Sequence, residues 1–251
     1  MEKAVLLLHG FLSDPGDFTP LLPHLKERYA RIEIPVYPGH GADESYHDFT
    51  AEGTLALIED KIWELTASSP SVDVIGFSLG GALSAYLAQR HSVNKLVLLA
   101  PANKYFNFYM PFSKIRYLVK NFYAMEKAYF KRDREGVSYY KDKLKTMFSD
   151  DFKALKIVRE KYMKRYLRKV YQNFKTLIKT ANEGTTEINV PCFIAWGRLD
   201  QLVPKESVRM MRALCRHENT VLEIYENHSH LMLLSRASEE IVRDILAFLD
   251  A

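Results

Sequence analysis

Short apolar segments that recur along the chain restrict its fold more than any other feature of the sequence. Most are apolar throughout instead of alternating with polar positions, as in strands that are buried on both faces of a parallel sheet. Segments with helical periodicity lie between them, and this alternation predicts an α/β fold: a mostly parallel, doubly wound sheet of about six strands. The predicted strands are AVLLL (4–8), RIEIPV (31–36), VDVIG (72–76), KLVLLA (95–100), PCFIAW (191–196) and TVLEIY (220–225). The predicted helices lie near 17–29, 49–67, 79–90, 205–215 and 237–249.

Residues 103–187 interrupt this alternation. Two stripes of apolar side chains at helical spacing run through the region, and no strand pattern separates them. The sequence therefore predicts a helical insertion, residues 103–187, within a core domain that consists of residues 1–102 and 188–251. The stripes contain Ile115, Leu118, Val119, Phe122 and Tyr129, and then Leu155, Val158, Tyr162, Tyr166, Val170, Phe174 and Ile178.

The insertion is also strongly basic. Residues 103–186 contain 21 Lys and Arg against 8 Asp and Glu, whereas the remainder contains 14 against 23. A nucleic-acid partner is disfavoured because no DNA- or RNA-binding motif accompanies the charge. A solvated surface is the default interpretation, and peripheral contact with an anionic membrane or an acidic partner is the second. The candidate membrane contacts are Lys161, Lys164, Arg165, Arg168 and Lys169, at intervals of one to four residues.

The sequence contains no segment that predicts a membrane span or a secretion signal. No apolar run approaches the roughly 20 residues that cross a bilayer, and the apolar stretch near the N-terminus is too short for a signal-peptide core. We therefore expect a cytoplasmic protein. Cys192 and Cys215 show no metal-binding spacing, so two buried free thiols are the favoured interpretation.

The segment Gly76-Phe77-Ser78-Leu79-Gly80 lies where a predicted strand runs into a predicted helix. A serine on so sharp a turn projects its hydroxyl clear of the sheet, and small residues on either side let strand and helix approach. The pattern favours a nucleophilic serine, Ser78. The alternative is a glycine-rich turn with a capping serine; a phosphate-binding loop is disfavoured because its glycine and lysine pattern is absent.

A serine nucleophile needs a base to accept its proton and an acid to orient that base. In sheets of this kind the acid and the base follow later strands in that order. Asp200 follows the predicted strand 191–196, and the segment after strand 220–225 contains His228 and His230. These residues alone leave open which histidine is the base, and Asp200 could be an ordinary turn residue. A metal site would need a third ligand, and no further cluster suggests one.

An oxyanion formed at the serine also needs hydrogen-bond donors. The backbone N–H of Leu79, the residue after Ser78, is one candidate, and the N–H of Phe11 in the loop after the first strand is the other. Gly10 would let this loop come close to a ligand. For His9 we predict a structural role in the same loop.

Several segments, taken in order, resemble the α/β-hydrolases, and most closely the bacterial carboxylesterase and monoacylglycerol lipase branch. The resemblance covers residues 4–102 and 188–250, whereas the insertion matches only by position and length. It implies that His230 is the catalytic histidine, with Ser229 in place of the usual glycine, and that His228 is a residue of the pocket rim. The matching segments are AVLLLHGF, PVYPGHG, GFSLGG, WGRLDQLVP and NHSHLMLLSRASEEIVRDILAFL.

The resemblance also implies where the substrate binds and what it is. His40 lies in a segment similar to the family's G-H-G loop, which borders the pocket entrance, and we expect it to be a structural residue of that rim with no proton to transfer. The insertion occupies the place of the family's cap. The expected activity is hydrolysis of small carboxylic esters with an apolar acyl chain by a Ser78-His230-Asp200 triad, with no cofactor and no metal. A thioesterase or acyltransferase with the same triad is the near alternative, and a non-catalytic ligand receptor is the alternative from another class.

Overall fold

The computed structural model describes residues 3–104, 121, 123–145, 167–235 and 237–251. All six predicted strands are present; five agree with their predicted limits to within one residue, and β2 ends three residues early. They form one sheet in the order β2-β1-β3-β4-β5-β6, in which every neighbouring pair is parallel. The strands are β1 (Lys3–Leu8), β2 (Arg31–Glu33), β3 (Ser71–Phe77), β4 (Leu96–Leu99), β5 (Cys192–Gly197) and β6 (Val221–Tyr225).

Burial follows the position of each strand in the sheet. The central strands β1, β3, β4 and β5 are buried at nearly every residue, which agrees with their uninterrupted apolar sequences. The edge strand β6 alternates between exposed and half-buried residues over most of its length, and β2 is half-buried throughout. The strand β2 is shorter than predicted because Pro35 follows it, and a proline cannot donate a hydrogen bond to a neighbouring strand.

Six α-helices have limits within the described residues, and the prediction near 17–29 was the least accurate. That stretch contains a 3-10 turn (Pro15–Phe18) and a five-residue helix instead of one continuous helix. Pro20 and Pro23 explain the break, because proline fixes its φ angle and removes a helical donor. The helices are α1 (Leu22–Lys26), α2 (Ala51–Ser68), α3 (Leu79–Ala88), α4 (Leu167–Asn182), α5 (Lys205–Leu214) and α6 (Ser238–Asp250).

The chain between β4 and β5 is an inserted helical region. Residues 123–130, 134–145 and α4 are helical, while much of the remaining insertion lies outside the described residues. Val170, Phe174 and Ile178 of the predicted second stripe are buried in the main core, and α4 packs against α2 and α3. Tyr129, at the end of the predicted first stripe, is 71% exposed.

The other stripe residues from Ile115 to Phe122 and from Leu155 to Tyr166 lie outside the described residues, as do Lys161, Lys164 and Arg165. Among the helices that the structure describes, none combines the length and the hydropathy needed to cross a membrane. The predicted boundaries of the core and the cap remain predictions, although α4 shows that the end of the insertion shares the core of the sheet domain.

Candidate active site

Ser78 occupies the turn between β3 and α3 in a strained backbone conformation. Its φ of 55° and ψ of −114° lie in a region that residues other than glycine rarely adopt. Two backbone hydrogen bonds hold it there: its N–H donates to the carbonyl of Leu99 at 2.8 Å, and its carbonyl accepts from Ala102 N–H at 3.0 Å. Strain of this kind persists only where surrounding structure enforces it, and it is concentrated at functional sites.

The glycines around Ser78 are needed because the backbone approaches too closely for a side chain. A Cβ atom at Gly76 would lie 2.3 Å from the carbonyl oxygen of Gly80, so strand and helix could not meet at this angle. A Cβ atom at Gly80 would lie 1.8 Å from the carbonyl oxygen of Leu8. The predicted close approach is therefore present, and it brings the start of α3 against the loop that follows β1.

Ser78, His230 and Asp200 form one hydrogen-bonded row across the carboxyl ends of three strands. The Ser78 hydroxyl lies 3.0 Å from Nε2 of His230, and Nδ1 of His230 lies 2.9 Å from Oδ2 of Asp200. All three residues are buried, with at most 3% of their surface exposed. When Asp200 is a carboxylate, the ring proton resides on Nδ1, and Nε2 can accept the proton of the Ser78 hydroxyl.

Asp200 is held by its own loop. Its Oδ1 accepts hydrogen bonds from the N–H groups of Leu202 at 2.7 Å and Val203 at 2.8 Å, which leaves Oδ2 for the imidazole. The loop is tied to the histidine segment because Leu199 N–H donates to the carbonyl of His228 at 2.9 Å. A hydroxyl, an imidazole and a fixed carboxylate in this order can transfer a proton from the hydroxyl to the ring and stabilise the resulting charge.

The two predicted oxyanion donors lie in segments that meet. Leu79 is the first residue of α3, where backbone N–H groups point out of the helix. Phe11 follows Gly10 in the loop after β1, and Gly80 of α3 lies against the backbone of Leu8, at the end of β1, and of His9, at the start of that loop. His9 binds the loop itself: its Nδ1–H donates to the Gly10 carbonyl at 2.9 Å, and its Nε2 accepts from Tyr37 N–H at 3.3 Å.

His40 and His228 are both more deeply buried than residues of a pocket rim, although the contacts of His40 fit the structural role expected for it. His40 is only 5% exposed; its Nε2 accepts from Leu12 N–H at 3.1 Å, and burial lowers its pKa to about 4. His228 is 1% exposed and its Nε2–H donates to the carbonyl of Ala237, the residue before α6, at 3.0 Å. Both rings are buried and bind backbone groups, so neither lies at the rim of a substrate pocket.

Sequence reasoning missed Asp17. This carboxylate is buried, and it accepts hydrogen bonds from Gly10 N–H at 2.9 Å and from the Ser13 hydroxyl at 2.6 Å. In the sequence Asp14-Pro15-Gly16-Asp17, both aspartates are typical of a turn. No local pattern distinguishes Asp17, which enters the core, from Asp14, which caps the 3-10 turn at the surface. Within the part of the chain that the structure describes, no three His, Cys, Asp and Glu side chains could together hold a metal ion.

Comparison with known proteins places this geometry in a family context. Residues 3–236 match the model of a family described as "alpha/beta hydrolase fold". A "Carboxylesterase" from Bacillus subtilis (strain 168) is 23% identical over 252 residues, which covers 99% of this chain and 93% of that protein. The solved structures of an esterase from Exiguobacterium antarcticum and a monoacylglycerol lipase from Paleococcus ferrophilus each have a TM-score of 0.65. They are 20% and 17% identical, and cover 99% and 98% of this chain and 92% and 93% of their own.

Proposed function

The chain belongs to the α/β-hydrolase fold family, and on that premise we propose that it is a serine hydrolase that cleaves carboxylic esters through an acyl-enzyme. The observation that carries the proposal is the hydrogen-bonded row of Ser78, His230 and Asp200, with Ser78 strained at the end of β3. A capping serine would need neither the buried imidazole nor the carboxylate behind it. The whole-chain similarity to a bacterial carboxylesterase supports the same reaction class.

In the proposed first half-reaction, Oγ of Ser78 attacks the acyl carbon while Nε2 of His230 takes the hydroxyl proton. The tetrahedral intermediate collapses, the ester C–O bond breaks, and His230 returns the proton to the departing alcohol. In the second half-reaction a water molecule gives a proton to His230 and attacks the acyl carbon. The proton then passes to Oγ, so that the carboxylic acid leaves and Ser78 is restored.

Asp200 keeps the imidazole in the required tautomer and stabilises its positive charge during both half-reactions. The two backbone N–H groups that hold Asp200 support this role, because they fix the carboxylate without neutralising it. The backbone N–H groups of Phe11 and Leu79 are the proposed donors to the oxyanion. Their support is the contact between the loop after β1 and the start of α3.

The proposed substrate is a small ester with an apolar acyl chain. Aromatic side chains surround the proposed oxyanion loop: the ring of Phe11 lies 4.6 Å from that of Phe174 in α4 and 5.5 Å from that of Phe49, measured between centroids. This surrounding favours an apolar group over a charged one. Residues 103–187 are proposed as the cap over the site, and contact of this cap with an anionic membrane remains a prediction.

A fluorophosphonate probe tests the proposed reaction most directly, because it phosphonylates only an activated serine. We expect one label per chain, found by mass spectrometry on the peptide that contains Ser78, and none on the Ser78→Ala variant. Labelling at another residue would contradict Ser78 as the nucleophile, and no labelling of the parent protein would contradict the proposal and favour a ligand receptor. A panel of esters and thioesters graded by acyl length then separates an esterase, which we expect, from a thioesterase.

A further inference from the structure

The loop after β1, residues His9–Ser13 and here called the oxyanion loop, is held by core side chains on both sides of Phe11. Before Phe11, Gly10 N–H donates to Oδ2 of Asp17 at 2.9 Å. After it, Leu12 N–H donates to Nε2 of His40 at 3.1 Å, and Leu12 has a φ of 62°. A non-glycine residue in the left-handed region is strained and keeps this conformation only where its surroundings enforce it. The bonds from Asp17 and His40 on either side therefore help to fix the direction of the Phe11 backbone.

Asp17 contacts the oxyanion loop at two points. Its Oδ2 accepts from Gly10 N–H, and its Oδ1 accepts from the Ser13 hydroxyl at 2.6 Å, so one carboxylate joins the beginning and the end of the loop. It lies in the 3-10 turn Pro15–Phe18 and is only 4% exposed. Asp14, three residues earlier, is exposed, and its side chain accepts instead from Gly16 N–H within the turn at 2.7 Å.

The burial of Asp17 is unfavourable for its charged form. Burial raises the pKa of Asp17 to about 6, although the bonds from Ser13 and Gly10 act in the opposite direction. Among the titratable groups near it, Asp14 raises this pKa, His230 lowers it, and Asp17 in turn raises the pKa of Tyr37. Between the ordinary value of 3.8 and about 6 the folded protein holds a proton that the unfolded chain releases. The free energy of unfolding therefore falls as pH rises through that window.

A buried carboxylate that lowers the stability of the folded protein at neutral pH is typical of functional sites. We propose that Asp17 is a positioning residue, which aims the Phe11 N–H at the oxyanion by holding Gly10 and Ser13. The inference rests on the proposed serine hydrolase, and it assigns to Asp17 no contact with the substrate. Its effect belongs to the transition states, since the oxyanion develops there and in the tetrahedral intermediate but is absent from the bound ester.

Three variants test this role with p-nitrophenyl butyrate as the substrate. Asp17→Ala removes both acceptors, and we expect kcat to fall on the order of 10²-fold, as for loss of one oxyanion donor, while KM changes by less than about threefold. Asp17→Asn keeps an acceptor for Gly10 N–H and should restore kcat to within about fivefold of the parent. Asp14→Ala is the matched control and should retain the parental kcat.

Thermal unfolding at pH 8 separates positioning from simple stabilisation. Asp17→Asn removes the buried charge, so its Tm should equal or exceed that of the parent. The inference is overturned if Asp17→Ala matches Asp14→Ala in kcat, or if Asp17→Asn is as slow as Asp17→Ala. It is also overturned if Asp17→Asn loses Tm and kcat together, which would mean a structural role.

Labelling with the fluorophosphonate probe distinguishes failure of this inference from failure of the proposed function. If the parent protein is not labelled at Ser78, the serine hydrolase proposal fails and Asp17 has no oxyanion to serve. If the parent is labelled and Asp17→Ala is labelled at the same rate, only the role of Asp17 fails. The expected result is labelling of the parent and labelling of Asp17→Ala that is slower by about the same factor as kcat.

Discussion

The carboxyl ends and the amino ends of the strands form two opposite edges of the sheet, and each of these edges contains a buried carboxylate with hydrogen bonds to side chains of other elements. At the carboxyl edge, Asp200 binds His230 at 2.9 Å. At the opposite edge, Asp73 near the start of β3 accepts from the Tyr29 hydroxyl at 2.6 Å and from the Asn94 amide at 2.7 Å. Both carboxylates are almost completely buried, at 0% and 1% exposed. Burial and hydrogen bonding therefore do not distinguish the two edges.

The difference lies in the partners and in the backbone. Burial and the neighbouring Asp73 raise the pKa of Tyr29 well above its ordinary value, and the amide of Asn94 does not titrate, so no partner of Asp73 can accept a proton near neutral pH. His230 can. Asp73 also lies in a regular strand paired with Val5, whereas Ser78 at the other end of β3 is strained. The same kind of polar cluster thus stabilises one edge and can perform chemistry at the other.

Replacement of Asp200 by asparagine should have the largest effect. The amide can donate to the imidazole and so favours the wrong tautomer, and we expect kcat to fall by up to about 10⁴-fold without loss of the fold. Steady-state kinetics on p-nitrophenyl butyrate and circular dichroism measure the two quantities. Near-parental turnover in a folded Asp200→Asn would mean that another carboxylate orients His230, and the contrast between the two edges would disappear.

The two histidines of the segment after β6 provide the next contrast. His230→Ala removes the proposed base, and kcat should fall by at least about 10³-fold. His228→Ala removes contacts to Ala237, Glu240 and Tyr225 but none to Ser78 or Asp200, so kcat should stay within about tenfold of the parent. The kinetics of both variants, measured side by side, check the assignment; an inactive His228→Ala with an active His230→Ala would reverse it.

Asp73→Ala should show the opposite profile to Asp200→Asn. It leaves the Tyr29 hydroxyl and the Asn94 amide without their acceptor, and we expect the free energy of unfolding to fall by about 2–4 kcal/mol. The kcat at 25 °C should stay within about twofold of the parent, because the reacting groups lie at the other edge. Urea denaturation gives the stability; a loss of kcat in the folded variant would show that the edges are coupled.

The smallest effect concerns the basic insertion and vesicles. If the cap binds anionic lipid, the fraction of protein that sediments with anionic vesicles should rise severalfold at low salt and fall at high salt, where charges are screened over about 8–10 Å. Turnover of a small neutral ester in solution should not respond. Binding that is unchanged when Lys164, Arg165 and Arg168 are replaced by Gln would leave the charge as a solvated surface.

Local sequence predicted those parts of the molecule whose cause is local. Apolar runs predicted all six strands, and the glycines around Ser78 predicted the close turn, because each depends on neighbours in the sequence. The grouping of Ser78, Asp200 and His230 could be predicted because the carboxyl ends of parallel strands meet at one edge of the sheet. By contrast, Asp73 acquires its partners Tyr29 and Asn94 only through tertiary packing. The partners of Asp17 are close in sequence, but nothing in its own segment indicates that its side chain is buried.

The burial of His228 was missed for the same reason, and the exposure of Tyr129 does not follow from its helical spacing either. The sequence around His228 is compatible with a pocket rim and with the protein core. Only the position of α6, whose preceding residue Ala237 binds the His228 ring, decides between them. An aromatic residue at helical spacing predicts an apolar face, but not whether another helix covers it. In the structure 71% of Tyr129 remains exposed.

The position of the insertion between neighbouring strands affects the order in which the protein folds. β4 and β5 are adjacent in the sheet, yet residues 100–191 separate them. The loss of chain entropy on closing a segment of that length costs about 2 kcal/mol more free energy than closing a crossover of about 10 residues. We therefore expect β1, β3 and β4 to assemble first and β5 and β6 to join last. Ser78 follows β3, whereas Asp200 and His230 follow the late strands, so activity should recover during refolding together with the burial of Trp196 in β5, and earlier recovery of activity would contradict this order.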